Sequence, residues 1–414
     1  MPVYTVCGAG SKRPAPGYNS PMVSHRSRLA LVLIFLAASL PALSTPATAK
    51  PPPFLAGGDL SFLAREEQLG AVYKDGGRPG DALQIFKAHG WNVVRLRLWV
   101  RPTGQNEYVN DLPYTLALAR RVKKAGLRFL LDLHYSDTWA DPAHQAKPAA
   151  WADLPFGKLT QQVETYSRDT IRAFRADGAM PDIVAVGNET INGMLWPDGK
   201  VEEPAGWDRY GALLRAGIAG VRAGAAPLPA PLIMVHINNG ADAGLTRWFF
   251  DNLGARKRGI DFDLIGLSYY PDGKNTLAQL QDALAADARR YHKPLVIAET
   301  AFPQDGTAGP DQPVYAEYGR TPEGQRRFLS DLMRKVQRTP GGLGCGVIYW
   351  QPEWVPIRGL PNYNHGNSLF DDHFNALPGI GAFGPPGHDK RKENRKENRK
   401  GKRTDVADAA PKKE

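Results

Sequence analysis

Between residues 54 and 350 the chain alternates short apolar runs with longer stretches of helical periodicity. The apolar runs fall at 54–60, 92–98, 128–134, 183–187, 232–237, 264–269, 295–299 and 346–350. Each has the length and near-continuous hydrophobicity of a parallel strand buried on both faces. Between them lie helical patterns, among them 80–89, 113–125, 159–177 and 322–338, with Gly90 and Gly126 placed as C-terminal stops. Eight strand–helix units without an internal linker predict an α/β fold, a single (β/α)8 TIM barrel. An open doubly wound sheet fits less well, because no glycine-rich phosphate turn follows the first strand.

Polar and aromatic residues gather where these strands end. In order they are Asp59, Arg95 and Arg97, Asp132 and His134, Asn188 and Glu189, His236 and Asn238, Tyr269 and Tyr270, Glu299, and Trp350. One strand end could carry such a residue by chance; eight in succession indicate a ring of groups around a cleft, since barrel active sites occupy this face. Arg95 and Arg97 share one side of their strand, as do Asp132 and His134. Glu189 and Glu299 each close an apolar run, and a carboxylate buried there is costly unless paired or used. Two carboxylates on different strands are what glycoside hydrolysis requires, one as acid/base and one as nucleophile or second base. The bland alternative is two structural glutamates satisfied by arginine. An arginine bound to one carboxylate keeps it ionised, while a partner without that cation keeps a raised pKa. His134 and His236 lack a third ligand at metal spacing and read as hydrogen-bonding groups. Trp99, Trp139, Trp151, Trp196, Trp350 and Trp354 lie at or beyond strand ends, suited to stacking on sugar; Trp91, Trp207 and Trp248 read as packing.

The charge is unevenly placed. The chain of 414 residues carries a formal +10, but residues 1–49 hold +4 and residues 390–403 hold +7, with −1 beyond, so residues 50–389 are neutral. A neutral body argues against nucleic-acid binding. Residues 1–49 read as a signal peptide with a preceding segment: a basic start at 25–28, an apolar core at 29–36 and Ala47-Thr48-Ala49 as a cleavage site, with Met22 an alternative start. Residues 50–389 then form the catalytic barrel, and 390–414 a disordered basic tail whose partner, if any, is an acidic polysaccharide or cell surface. Secretion and no stable membrane insertion follow from this reading. The two cysteines, Cys7 and Cys345, would not form a disulfide once the signal is removed.

At these residues the chain resembles the arabinogalactan endo-β-1,4-galactanases, glycoside hydrolase family 53 of clan A. The resemblance runs from residue 56 to about 383, through Gly57-Gly58-Asp59-Leu60-Ser61-Phe62 and Val94-Arg95-Leu96-Arg97-Leu98-Trp99. It continues through the long string Leu131-Asp132-Leu133-His134-Tyr135-Ser136-Asp137-Thr138-Trp139-Ala140-Asp141-Pro142. Gly187-Asn188-Glu189, Ser268-Tyr269-Tyr270-Pro271, Ala298-Glu299-Thr300 and Tyr349-Trp350-Gln351-Pro352-Glu353-Trp354 complete it. The resemblance implies that Glu189 is the acid/base and Glu299 the nucleophile of a retaining double displacement on β-1,4-galactan. It further implies that Asn188 holds the sugar 2-hydroxyl, that Arg95, His134, His236 and Tyr269 bind sugar, and that Trp350 stacks beneath it. Asp59, Arg97, Trp196 and Trp354 complete the expected substrate site. Gln351 stands where the family usually has glutamate, which should matter little if that side chain only lines the wall. No organic cofactor is expected. Calcium, bound by some bacterial relatives, is left open, with Asn367, Ser368 and Asp371 as weak candidate ligands beside Asn364 and Asp372. Another clan A endo-glycanase and a non-catalytic carbohydrate-binding barrel remain as alternatives.

Overall fold

The computed structural model describes residues 53–202, 204–255, 257–272, 275–306, 313–361 and 366–384. The proposed signal peptide and basic tail lie outside these residues. Eight parallel strands close a barrel: β1 (Leu55–Asp59), β2 (Val93–Leu98), β3 (Arg128–Leu133), β4 (Ile183–Val186), β5 (Leu232–Ile237), β6 (Leu264–Ser268), β7 (Leu295–Glu299) and β8 (Gly344–Trp350). Each pairs with its neighbours in sequence, and β8 returns to β1 with Leu55 opposite Gly346 and Asp59 opposite Trp350. The TIM barrel expected from the periodicity is therefore the observed fold.

The helices are α1 (Leu63–Gln68), α2 (Ala82–Ala88), α3 (Leu112–Lys124), α4 (Phe156–Ala176), α5 (Pro204–Ala225), α6 (Ala243–Leu253), α7 (Leu277–Tyr291), α8 (Pro313–Tyr318) and α9 (Pro322–Gln337). Their starts are chemically marked. Asp81, Asp111, Asp242 and Thr321 each accept a backbone N–H in the first turn of α2, α3, α6 and α9. Thr276 and Gln279 form a reciprocal capping box on α7.

Strand alternation separates two cores. Outward residues such as Val94, Leu96, Leu131, Val184, Val235 and Ile265 pack under the helices. Inward residues, Leu55, Val93, Leu130, Ile183, Met234, Leu264, Val296, Cys345 and Ile348 among them, fill the barrel bottom. Advancing two residues at a time along that inward row reaches Asp59, Arg95, Arg97, Asp132, His134, His236, Ser268 and Trp350. The same alternation that builds an apolar plug below thus builds a polar ring above.

Candidate active site

Arg95 is the hub of the ring and is almost wholly buried. Its Nη1 donates to Asp59 Oδ2 at 2.9 Å, and its Nη2 reaches Asp132 Oδ2 at 2.5 Å, Glu299 Oε1 at 2.7 Å and Asn188 Oδ1 at 2.8 Å. Burial opposes the guanidinium charge, but the surrounding carboxylates Asp132, Glu299 and Asp59 overcome it and hold the proton more tightly than usual. Asp132 shows the converse: burial works against its charge, yet Arg95 and then His134 hold it well below the usual carboxylate range.

His134 is fixed as a single tautomer. Its Nδ1 accepts from Trp99 Nε1 at 3.2 Å and from the Ala140 amide at 3.3 Å. Nε2 therefore carries the proton, and it lies 3.0 Å from Asp132 Oδ2. Both ring nitrogens are thus engaged by protein, so His134 positions Asp132 rather than presenting a donor to sugar. His236, equally buried, has its Nε2 2.9 Å from Ser268 Oγ. Burial, helped by the Arg95 charge, lowers its pKa to about 3, so it is neutral.

The two glutamates stand in different surroundings. Glu299 ends β7 beside Arg95 and accepts a 3.2 Å hydrogen bond from the Tyr270 hydroxyl at Oε2. Burial raises its carboxyl above the ordinary value, and Arg95 limits that rise. Burial of its hydroxyl, then the Glu299 charge, push the Tyr270 phenol well above its ordinary value, which fixes it as the donor. Glu189 follows β4 through a sharp turn, with Gly187 at φ 93° and Glu189 itself left-handed at φ 45°, ψ 49°. A Cβ on Gly187 would lie 2.6 Å from Thr190 Cγ2, so glycine is required twice over. Among the described residues no cation makes an ion pair with Glu189. Burial, and next the Glu299 charge, raise its pKa to about 8, against a hydrogen bond from Ser268 that lowers it. Of this coupled pair Glu189 holds the proton.

Asn188 is set between these groups, its Oδ1 on Arg95 and its Nδ2 donating to Ala140 O at 2.7 Å, with one N–H left over. On one side of Glu189 opens a cavity of about 250 Å³ lined by Asn238, Asn239, Ser268, Tyr270 and Asn275. At the ends of β2, β3 and β8 runs an aromatic row: Trp99 meets Trp139 at 5.2 Å between ring centroids, and Trp139 meets Trp350 at 6.4 Å. Trp139 and Trp350 are half-buried, whereas Trp99 is buried.

Several expected contacts move. Trp354 is fully buried with its ring edge-on to Phe62 at 4.4 Å, so it packs beneath the wall instead of lining it. Tyr269 is buried and donates to Asn275 O at 2.9 Å; Tyr270 takes its place at the carboxylate. The alternation of β6 contained this answer, since Ser268 points inward and Tyr270 is two residues on. Arg97 does not reach either glutamate in ion-pair contact. Its guanidinium lies over the rings of Phe62, at 4.2 Å, and Trp139, at 4.4 Å, where burial lowers its pKa. Gln351 is buried and turns its amide oxygen to Arg97 at 3.1 and 3.2 Å, so it holds Arg97 and is no mere wall residue. Asp59 is buried under Arg95 and supports it without facing the cleft. Trp196 is half-buried, its Nε1 on Asn192 O at 2.9 Å and one side covered by Lys200 Nζ, 4.9 Å from the ring centre.

Two of the calcium candidates, Ser368 and Asp371, are engaged elsewhere. Ser368 Oγ donates to Pro352 O at 3.1 Å and accepts from the Phe370 amide at 3.0 Å. Asp371 accepts from the His373 and Asn375 amides and the Asn375 side chain, closing a turn. Among the described residues no group of three or more His, Cys, Asp or Glu is placed to hold a metal ion. These oxygens do not fit a calcium cage, which needs six to eight ligands. Asn364 lies outside the described residues.

Comparison with known proteins shows the family. The model of the family described as Glycosyl hydrolase family 53 matches residues 55–383. An arabinogalactan endo-beta-1,4-galactanase of Cellvibrio japonicus is 36% identical over 366 residues, spanning 84% of this chain and 95% of the relative. Among solved structures, a fungal beta-1,4-galactanase superposes with a TM-score of 0.72 at 32% identity, over 80% of this chain and 99% of that one. The GH53 catalytic domain of Ignisphaera aggregans gives 0.73 at 32%, over 82% and 98%. The chain belongs to glycosyl hydrolase family 53.

Proposed function

We propose that this glycoside hydrolase is a secreted endo-β-1,4-galactanase, acting on arabinogalactan or pectic galactan with retention of configuration. The observation that carries the reaction is the asymmetry of the two carboxyls. Glu299 sits on Arg95 and Tyr270, and Glu189 carries the proton. In the first step a Glu299 oxygen attacks the anomeric carbon while Glu189 gives its proton to the departing glycosidic oxygen. In the second, Glu189 takes a proton from water as that water attacks the anomeric carbon and frees Glu299. Ser268, bridged to neutral His236, holds the Glu189 carboxyl, and Asn188 has one N–H for the sugar 2-hydroxyl. Trp350 and Trp139 offer rings for the apolar face of a galactosyl unit. The galactan substrate is argued from the activity named for the Cellvibrio japonicus and fungal relatives. Secretion is argued from the apolar, basic-flanked segment before residue 50, and contact of the basic tail with acidic pectin from its charge.

The test is product analysis with linear β-1,4-galactan, and with mannan, xylan and cellulose as controls. Short galacto-oligosaccharides from galactan alone, released first with retained anomeric configuration, are the expected result. Activity confined to a control polymer would move the specificity elsewhere in the clan.

A further inference from the structure

A second aromatic feature lies outside the cleft. Among the described residues two large aromatic side chains remain well exposed: Tyr270 in the catalytic ring and Trp248 on α6, at 41%. Trp248 meets the nearly buried Trp207 of α5 at 5.3 Å and 70°, and Trp207 in turn packs on Phe249 at 5.5 Å. The indole is therefore braced from behind. It forms one wall of a groove of about 340 Å³, with Val201, Glu202, Asp208, Asn252 and Arg258 along the others, and Glu202 is itself paired with Lys200.

Those polar groups are held in place. Arg258 donates through Nη1 to the carbonyls of Asn252 and Leu253, at 2.8 and 2.9 Å, at the C-terminal end of α6. Its Nε and Nη2 both meet Asp208 Oδ1, at 2.9 and 2.8 Å, which leaves Oδ2 able to accept from a ligand. Asn252 Nδ2 donates to Trp248 O at 2.8 Å, which leaves its amide oxygen and second N–H. A rigid exposed indole beside a carboxylate and an amide, both with capacity to spare, matches a neutral sugar: an apolar ring face to stack, hydroxyls to donate and accept. Asp208 is paired with Arg258 and Glu202 with Lys200, so the lining carries no unpaired cation and disfavours an acidic polymer. The groove volume suits one or two hexose rings. Trp207 lies in the first turn of α5, the helix that follows β4 and Glu189, while Asn252 and Arg258 lie at the C-terminal end of α6.

We propose that the Trp248 groove between α5 and α6 is a secondary binding site for galactosyl units of the polymer, holding a chain whose scissile bond lies in the cleft. This rests on the galactanase reading. The test compares the full chain with its Trp248→Ala and Trp248→Tyr variants on long linear galactan and on galactotetraose, taken as too short to span cleft and groove. The expected result for Trp248→Ala is a KM on the polymer raised roughly 5- to 20-fold, the loss of one stacking contact, with unchanged kcat and unchanged tetraose kinetics. Trp248→Tyr recovers most of the loss, and wild-type tetraose turnover certifies the fold. Retardation in a native gel containing galactan reads the same contact without turnover. An unchanged polymer KM and retardation would overturn the inference, as would equal losses on both substrates. So would a change in oligomeric state with galactan binding intact, which would mark the groove as a protein interface. If the wild-type protein cuts no galactan, the functional reading fails, while gel retardation still decides the groove.

Discussion

Two buried charge clusters sit a few residues apart in this barrel and behave oppositely. In the first, Asp59, Asp132 and Glu299 surround the Arg95 guanidinium. In the second, Glu66 of α1 and Glu353 beyond β8 share Tyr73: its hydroxyl donates to Glu66 Oε2 and lies 3.1 Å from the Glu353 carbonyl oxygen. Glu66 Oε1 accepts from the Val355 amide and Glu353 Oε1 from the Phe62 amide, while Glu353 Oε2 is buried without a partner. Burial raises Glu66 to about 8 and pushes Glu353 well above the usual range, with no ion pair among the described residues to pull either back. Burial raises a carboxyl in both places, and a shared cation opposes that rise where hydroxyls and amides cannot. Glu299 and Glu189 repeat that contrast across the cleft.

The largest effect expected from breaking the contrast comes from Glu299→Gln. Turnover should fall by roughly a thousandfold or more, because the covalent route is lost. Galactan affinity, read by gel retardation, should survive. Glu189→Gln should cost on the order of 10² to 10⁴ in kcat. The loss should be much smaller on an aryl galactoside whose leaving group needs no proton. Arg95→Met strips the hub from three buried carboxylates and should destabilise the fold by about 3–5 kcal/mol, read by urea denaturation.

Smaller effects sharpen the comparison through pH. The folded pKa of Glu66, near 8, lies above its ordinary 4.5, so its contribution to stability is complete below about 4.5 and is lost as pH rises through 8. Glu66→Gln should therefore flatten part of the decline in unfolding free energy across that window. The amide can still accept from Val355 and can donate to Tyr73, so the fold should tolerate it. For Glu189 the protonated form is the active one, and kcat/KM should fall as pH passes about 8. Ser268→Ala removes a bond that lowers that pKa and should move the alkaline limb upward, by less than about one unit.

The barrel was legible because parallel strands buried on both faces leave near-continuous apolar runs, and all eight predicted runs became strands. Glu189, Glu299 and Arg95 were legible because charge at the end of such a run is conspicuous. What failed was local. Tyr270, not Tyr269, meets Glu299, because the two-residue alternation of β6 continues past Ser268. Trp354 lies beyond the strand, where no periodicity governs, and the chain folds back onto Phe62. The roles of His134 and Gln351 depended on which nitrogen or oxygen faces which neighbour, and no spacing rule records that. Trp248 read as packing because its helical position says nothing of whether a neighbouring helix covers it.

Cys345 packs inside the barrel bottom among Leu55, Val296 and Ile348, and burial pushes its thiol to about 11. An alkylating reagent meets neither thiolate nor access unless β8 parts from its neighbours. The rate at which Cys345 is labelled thus becomes a clock for barrel opening, independent of catalysis and readable by mass. Substrates or variants that tighten the ring above should slow it.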